Sequence, residues 1–439
     1  GGYHRKPYML LSWLITACAL LVMCFYSLPR PYLCQLEDGT YSLEVCNPPA
    51  QDFKNCYVYP LCLMCLGLTV GSVAEEGLLL EYAQLEAPAQ RGQIKAEMTM
   101  VCTAGGLCAS LFLGIFMNSK EYLGTFDSGL SLTAVCKALV LLAFIMVPVT
   151  ALSVFEPQKA TRPRPMEHIM SSWRLMQGRA LASVLLFAFV TQLLLSITST
   201  AGPLVRSQWA GVKVLQQQMF SVLSSISMML ALWIFKVYFL QACWRKVFFT
   251  ALVFSQGADM IPVFLTVFDV VRNQYFFLGE EILTQVPTAG LILVCSLLII
   301  EMSEPGCEGV CSGLIGTLHV VAIPVGAAIS DEVFGLFRPS LSDAANYVAD
   351  TPSFRRTVAW SAVLTYGTAF LAVLCLPLLP RQKNMAQKRK REWGHSPALA
   401  IVAVVVPVLC LIYSVIILAL AIQPQTACLR IAGGEGCQS

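Results

Sequence analysis

The chain has 439 residues and a formal net charge of only +3. Hydrophobic residues make up 56% of it and charged residues 13%, and its mean hydropathy is +0.68. Soluble domains have about a quarter of their residues charged, so this composition excludes an ordinary soluble globular protein. The small net charge gives no reason to expect a nucleic-acid partner.

Apolar windows along the chain predict eleven membrane-spanning helices. Each window has about the 20 residues that cross a hydrocarbon core roughly 30 Å thick. No alternation of period two points to a β-barrel, so the predicted fold class is an all-α polytopic membrane protein. In chain order the windows lie near residues 8–29, 57–82, 96–117, 131–155, 181–201, 217–240, 248–269, 276–301, 310–330, 357–379 and 398–422.

Basic residues in the connections orient these helices, because the cytoplasmic loops of membrane proteins carry an excess of Lys and Arg. The excess lies mainly in residues 156–180 and 381–396, which predicts that both segments and the N-terminus are cytoplasmic. The acidic loop after the first span and the C-terminal tail then face outward.

Most of the 18 cysteines lie inside apolar spans, where a thiol acts as a small hydrophobic group. The outward-facing candidates for disulfide bonds are Cys34, Cys46 and Cys56 in the first loop, and Cys428 and Cys437 in the tail. No CxxC motif is followed by a second one at metal-site spacing, and the chain has 4 histidines, so neither a metal site nor a cofactor is expected.

The basic segment 156–180 divides the spans unevenly, since four precede it and seven follow it. Many transporters consist of two related halves with the substrate near the midplane between them. On that template the chain lacks the first two spans of a twelve-span transporter, and its opening residues, GGYHRKPY, contain no initiator Met. The predicted regions are a partial N-terminal half of four spans (1–155), a basic cytoplasmic linker (156–180), a C-terminal half of six spans (181–379), and a basic loop with an extra span and an extracytoplasmic tail (380–439).

Four segments carry a resemblance to a known family: SVAEEGLLLEYAQLEAPAQRG (72–92), MNSKEYLGTFDSGLS (117–131), RNQYFFLGEEILTQVP (272–287) and IEMSEPGCEGVCSGLIGTLH (300–319). Together they resemble the folate–biopterin transporter family of the major facilitator superfamily. The extra last span with CLRIAGGEGC is similar to oomycete members in particular. The resemblance implies a major facilitator-type helical bundle and the substrates of that family, which are folates, pterins and in some members S-adenosylmethionine, usually with proton-coupled uptake.

One position departs from the family pattern. The family's fourth span commonly carries two acidic residues spaced as D-x-x-x-D, and here Ser72 stands at the first of these positions and Glu76 at the second. If coupling needs the first carboxylate, we expect this chain to differ in substrate or to be weakly active.

Adjacent carboxylates at Glu75 and Glu76 lie about two-thirds of the way along the 57–82 span. An ionisable side chain at the bilayer centre costs about 2.5–3.5 kcal/mol, so such a residue is a candidate for function. Neighbours on a helix point about 100° apart, and therefore only one of the pair can face a cavity squarely. We expect Glu76 to face the translocation path and carry a proton, with Glu75 as the second candidate. The alternative for both is a place near the cytoplasmic surface, paired with Arg91 or Lys95.

A second acidic pair, Glu280 and Glu281, lies near the start of the 276–301 span. Gln285 shares a helix face with Glu281, which makes Glu281 the preferred candidate for substrate or proton coupling. Gly279 and Pro287 flank the pair and predict a discontinuous helix near a binding site. A position at the outer interface is the alternative.

Three further ionisable residues lie within predicted spans. Asp259 is in mid-span beside Gly257, and either binds substrate or locks neighbouring helices together. Lys137 and Lys236 are embedded cations that either meet the carboxylates of a folate or form an ordinary ion pair.

The leading interpretation is therefore a multi-pass transporter, expected in the plasma membrane, whose partners are a folate- or pterin-type substrate, protons and the lipid bilayer. The alternatives are a transporter of another metabolite such as S-adenosylmethionine, whose positive charge suits an acidic cavity, and a truncated membrane protein without transport. No HExxH or GxSxG motif occurs, and an enzyme is not expected.

Overall fold

The computed structural model describes residues 5–26, 33–35, 41–49, 54–87, 90–119, 126–155, 165–304, 306–422, 426, 428–429 and 431. Within them, eleven helices are long and apolar enough to cross a membrane, which confirms the prediction of an all-α polytopic membrane protein with eleven spans. One helical span, Gln274–Met302, is interrupted and consists of two helices.

The helices are α1 (Lys6–Cys24), α2 (Lys54–Leu85), α3 (Gln93–Phe116), α4 (Leu132–Ser153), α5 (Pro165–Met176), α6 (Arg179–Ser196), α7 (Gly202–Leu204), α8 (Val214–Ile234), α9 (Trp244–Val267), α10 (Gln274–Leu283), α11 (Gln285–Met302), α12 (Glu308–Phe334), α13 (Ala344–Ala349), α14 (Pro352–Leu371), α15 (Lys383–Glu392) and α16 (Pro397–Ile422). A short antiparallel hairpin pairs β1 (Leu33–Gln35) with β2 (Tyr41–Val45). Two π-helical turns, Val205–Trp209 and Phe235–Phe239, follow α7 and α8, and a 3-10 turn, Ala372–Cys375, follows α14.

Polar side chains define where several of these helices begin. The Ser131 hydroxyl accepts a hydrogen bond from the Ala134 amide at the start of α4. The Asn273 side chain accepts from two amides of α10, and Thr351 accepts from the Phe354 amide at the start of α14. Each side chain satisfies donors that the first helical turn leaves without a partner, which is why these residue types precede the helices.

The chain divides into two compact units. Unit 1 comprises Gly1–Tyr82 and Cys108–Arg164. In it α1 packs along α4, the Arg5 guanidinium pairs with the Glu81 carboxylate, and the Tyr82 hydroxyl donates to the carbonyl of Phe155 over 3.0 Å.

Unit 2 comprises Ala83–Leu107 and Pro165–Ser439. Its helix pairs include α6 with α12, α9 with α11, and α8 with both α10 and α11. One buried cluster surrounds Trp209, whose ring lies 5.0 Å from that of Tyr347 and 6.1 Å from that of Phe354. Another joins Ala96 of α3 to Leu232 of α8 and Leu293 of α11.

The segment predicted to be a basic linker is partly helical, because residues 165–176 form α5. Ile169 and Met170 lie three and four residues after Met166, and all three side chains are exposed on this short helix. Residues 156–164 lie outside the described part of the chain.

Disulfide bonds are present at two of the predicted positions, since Cys46 and Cys428 are each disulfide-bonded. Cys56, in contrast, is a free thiol at the start of α2. The side chains of Cys34 and Cys437 lie outside the described residues.

Candidate functional site

A cavity of about 520 Å³ lies inside unit 2. It is formed by the segment that follows α6, the π-helical turn after α7, the last turns of α9, helix α10, and the middle of α14. Its polar and charged lining residues are Thr198, Ser199, Arg206, Ser207, Gln217, Asp259, Glu280, Ser361, Thr365 and Tyr366. Two of the acids predicted from the sequence, Asp259 and Glu280, therefore line one cavity.

Asp259 is held by a hydrogen bond from the opposite wall. The Tyr366 hydroxyl of α14 donates to Oδ2 of Asp259 on α9 over 2.9 Å. The sequence left open whether Asp259 locks helices or binds substrate. The structure places it where it joins α9 to α14 and also borders the cavity.

Glu280 lines the cavity from α10, close to a break in the helix. α10 ends at Leu283 and α11 begins at Gln285, so the predicted discontinuity between Gly279 and Pro287 is confirmed and lies at Thr284. Pro287 has no amide hydrogen to donate to the carbonyl of Leu283, which weakens the helical hydrogen-bond pattern at this point.

Glu281, the neighbour of Glu280, is paired with a cation that the sequence analysis did not identify. Its carboxylate accepts a hydrogen bond from Nη2 of Arg206, and both side chains are about two-thirds buried. Gln285 donates to the backbone carbonyl of Glu281 over 3.2 Å, so it contacts the main chain of Glu281 rather than its carboxylate. Glu280 borders the cavity, while Glu281 forms the ion pair beside it.

Arg206 reaches this place from a π-helical turn, Val205–Trp209. Such turns are rare and occur often at functional sites, because the inserted residue redirects a side chain. Nε of Arg206 is buried and has no hydrogen-bond partner among the described residues. The guanidinium thus retains a donor beyond its bond to Glu281.

Hydroxyl groups complete the cavity wall between the end of α6 and α14. The hydroxyls of Ser199 and Ser361 lie 2.8 Å apart, and the Ser199 amide donates to Oγ1 of Thr365 over 2.9 Å. These bonds hold the non-helical residues after α6 against α14. The sequence signal that could have found them is the Gly202–Pro203 pair, which marks an irregular backbone beside a span.

The carboxylates of α2 lie elsewhere. Glu75 and Glu76 are half-buried, each has an interaction within the chain, and neither lines the cavity in unit 2. The Ser72 hydroxyl donates to the Thr69 carbonyl on its own helix over 3.0 Å. Glu86 accepts from the amides of Gly92 and Ile94 and so satisfies donors at the start of α3.

The two embedded lysines are also outside the cavity. Lys236, on the π-helical turn after α8, pairs with the Glu97 carboxylate of α3. Lys137 is exposed on α4. Of the two alternatives for Lys236, the structure therefore contains the ion pair.

A network of four charges lies close to the cavity, where α9, α10 and α14 meet their connecting loops. Asp350 accepts bidentate hydrogen bonds from Arg272, at 2.7 and 3.1 Å, and from Arg355, at 2.6 and 2.8 Å. Asp269 pairs with both arginines at 3.1 Å. Hydrogen bonds from Arg355 and Arg272 hold the pKa of the Asp350 carboxyl well below its usual range. Arg272 also stacks over Trp209, with its guanidinium carbon 4.7 Å from the ring centroid.

Within the described residues, no three His, Cys, Asp or Glu side chains lie close enough together to hold a metal ion. The cavity therefore offers carboxylates, a guanidinium, a phenol, hydroxyls and an amide as its chemical groups.

Eleven candidate spans among the described residues define a multi-pass integral membrane protein, and the cavity between helices of unit 2 is a candidate binding site for a small molecule. The chain belongs to the BT1 family, whose sequence profile matches residues 49–384. This is the folate–biopterin transporter family, of major facilitator type, that the sequence motifs resemble. The protein is accordingly a membrane transporter with a small-molecule substrate.

Among solved structures, the chain is similar to a bacterial homologue of the iron transporter ferroportin in an outward-facing state, with 12% identity, a TM-score of 0.48, and coverage of 85% of this chain and 83% of the other. It is also similar to the Major Facilitator Superfamily transporter FucP in the outward conformation, with 13% identity, a TM-score of 0.46, and coverage of 84% and 82%. A further similar structure is a variant of the E. coli fucose:proton symporter, with 11% identity, a TM-score of 0.45 and 84% of both chains covered. At these scores neither substrate nor mechanism transfers to this chain. No curated protein matches it.

Proposed function

We propose that the protein is a secondary active transporter that moves a folate- or pterin-type metabolite across the plasma membrane by alternating access, coupled to protons. Membership of the BT1 family supports this substrate class. The observation that carries the proposal is the convergence of Asp259, Glu280 and Arg206 on one cavity inside a helical unit.

The chemistry of the cavity suits a pterin ring. Such a ring is flat and presents amide and amino donors along one edge, which a carboxylate accepts in a bidentate manner. Asp259 and Glu280 supply the acceptors, Gln217 supplies an amide, and Phe277 supplies an aromatic face. The cavity volume of about 520 Å³ lies in the range of ligand sites of this kind.

Proton coupling needs a carboxyl group that is stable both charged and neutral. Glu280 has a charged partner nearby in the Arg206–Glu281 pair, and it borders a partly desolvated cavity rather than bulk water. Burial favours the neutral form of a carboxyl and a nearby cation favours its charged form. We assign the coupling proton to Glu280, with Asp259 and Tyr366 as its polar neighbours. Glu76 on α2 remains a separate coupling candidate.

A positively charged metabolite such as S-adenosylmethionine is the second candidate substrate. Two carboxylates and one guanidinium line the cavity, and that guanidinium is already paired with Glu281. The charge facing the cavity is therefore more favourable for a cation than for a folate bearing two carboxylates.

Uptake in a transport-deficient host tests the proposal and separates the candidates. Labelled folate, biopterin and S-adenosylmethionine are supplied outside at several values between about pH 5 and 8. We expect uptake of the folate or the pterin that rises as the external pH falls, and surface biotinylation reports whether the protein is in the plasma membrane. Uptake of S-adenosylmethionine alone would support the second candidate. Surface-located protein that takes up none of the three would contradict transport of this substrate class.

A further inference from the structure

A second cavity, of about 490 Å³, lies in unit 2 at the opposite ends of the spanning helices. Leu240 follows the π-helical turn after α8, Trp244 begins α9, Glu301 lies in the last turn of α11, and Lys383 begins α15 beyond α14. Successive spans alternate in direction, so these helix ends share one face of the membrane. The distribution of Lys and Arg predicts that this face is cytoplasmic.

Glu301, the acidic residue that lines this cavity, is buried and ion-paired. The Glu301 side chain is 1% exposed, and its carboxylate accepts from Nη1 of Arg91 over 3.0 Å and from Nε2 of Gln387 over 2.7 Å. Nε of Arg91 is itself buried and makes no hydrogen bond with any described residue. The cavity is therefore lined by a guanidinium with one unused donor, Nε, beside a carboxylate that already accepts from two side chains.

Cationic and amide donors make up much of the remaining wall. Lys383 is buried, and its Nζ donates to the carbonyl of Arg91 over 3.0 Å. Burial lowers the pKa of its ammonium group, so an added anion would be favourable there. Asn384 and Gln382 are exposed and border the cavity. No side chain caps the start of α15 at Gln382, and the partial positive charge of this helix end lies beside the same space.

The surroundings attract anions as well. Arg381 and Arg391 are exposed beside and on α15. Basic pockets between spanning helices on the cytoplasmic side are suited to phosphorylated lipid headgroups, because the inner leaflet carries the anionic lipids. The two exposed arginines would draw such a lipid to the cavity, and Arg91 and Lys383 would hold its phosphate.

We propose that this cavity binds the phosphate group of an anionic phospholipid headgroup from the cytoplasmic leaflet. Arg91 and Lys383 supply the charge, and Gln382 and Asn384 supply amide donors at the entrance. The site is separate from the cavity of Asp259 and Glu280 and does not depend on the substrate carried there.

Binding of soluble lipid probes to the purified full chain in neutral detergent tests this site. A dioctanoyl phosphoinositide, dioctanoyl phosphatidylcholine and inorganic phosphate are titrated separately, with intrinsic tryptophan fluorescence as the signal because Trp244 borders the cavity. We expect saturable binding of the phosphoinositide and at least about tenfold weaker binding of the other two, since phosphatidylcholine has no net charge and inorganic phosphate has no lipid anchor. Equally tight binding of inorganic phosphate would overturn the lipid as the source of the anion.

Two substitutions of Asn384 distinguish a specific binding site from nonspecific electrostatic attraction. Asn384→Asp adds one negative charge at the entrance with little change in shape, and we expect the Kd for the phosphoinositide to rise about tenfold. Asn384→Lys should lower it, which keeps the test valid if the first variant folds poorly. Lys388→Gln makes the same change in net charge on the same helix at a side chain 69% exposed, and is the matched control. Equal weakening by Asn384→Asp and Lys388→Gln, or no effect of either Asn384 variant, would overturn the site.

Discussion

At the scale of single residues, three carboxylates at or beside the cavity of unit 2 have different partners although they are close in sequence or in space. Asp259 accepts a hydrogen bond from a phenol, Glu281 pairs with a guanidinium, and Glu280 faces the cavity between them. A buried carboxylate is stable only when such partners compensate for its lost hydration. The partners therefore decide which carboxylate is fixed and which is available for exchange with a proton or a substrate.

The bond between Tyr366 and Asp259 gives a direct prediction. Tyr366→Phe removes the donor and keeps the ring, so Asp259 loses a hydrogen bond worth about 1–3 kcal/mol. We expect a lower Tm for the detergent-solubilised protein. Tyr238→Phe makes the same chemical change at a side chain 70% exposed and should leave the Tm unchanged. Equal Tm values for the two variants would show that the bond contributes nothing.

Some of these residues could be predicted from the sequence and others could not. Asp259 and Glu280 stand out because an ionisable residue in an apolar span costs free energy and needs a reason. Arg206 is in a connecting segment, where a basic residue is ordinary, and its partner Glu281 is 75 positions away. Tyr366 resembles any aromatic residue of a span. The roles of Arg206 and Tyr366 depend on partners that are distant along the chain. A single sequence does not show which residues will pair in this way.

At the scale of helices, irregular segments build the cavity. The residues after α6, the π-helical turn Val205–Trp209 and the break at Thr284 all border it or adjoin its lining residues. Non-helical backbone at membrane depth is tolerated where it lines a cavity, because polar groups there find partners other than lipid. In the sequence, Gly279 and Pro287 predicted the helix break at Thr284, whereas the π-helical turn has no comparable signal.

The charge network around Asp350 belongs to this scale, because it joins the start of α14 to the loop between α9 and α10. Its two arginines lower the pKa of Asp350, so the stabilisation is complete above the unfolded value near 4 and is lost as the pH falls below it. We expect no contribution to the pH dependence of stability between about pH 5 and 8, and a loss of order 1 kcal/mol on further acidification.

Thermal unfolding of wild-type protein and Asp350→Asn at several acidic pH values checks this expectation. The variant should start less stable at neutral pH, and its Tm should fall less steeply below about pH 4. Glu392→Gln, at a side chain 59% exposed with its lysine 3.8 Å away, is the control and should follow wild type. A variant whose Tm falls as steeply as that of wild type would rule out Asp350 as the titrating group.

At the scale of the whole molecule, the number of membrane-spanning segments follows from hydropathy. A span needs about 20 apolar residues whatever its neighbours are, so the eleven windows in the sequence correspond to the eleven candidate spans found among the described residues. The division of the chain into two units, in contrast, does not follow from hydropathy. Residues 83–107 belong with unit 2 although they precede the basic connection. Packing between helices assigns them there, and hydropathy carries no information about it.

We propose that Glu280, in the cavity of unit 2, carries the coupling proton of a folate or pterin transporter. The most direct measurement is the initial rate of labelled substrate uptake as a function of external pH for wild type and Glu280→Gln at equal surface expression, with Glu392→Gln as the exposed control. We predict that uptake by wild type and by the control rises as the pH falls, whereas the residual uptake by Glu280→Gln is the same at every pH. An unchanged pH profile in Glu280→Gln would contradict the claim.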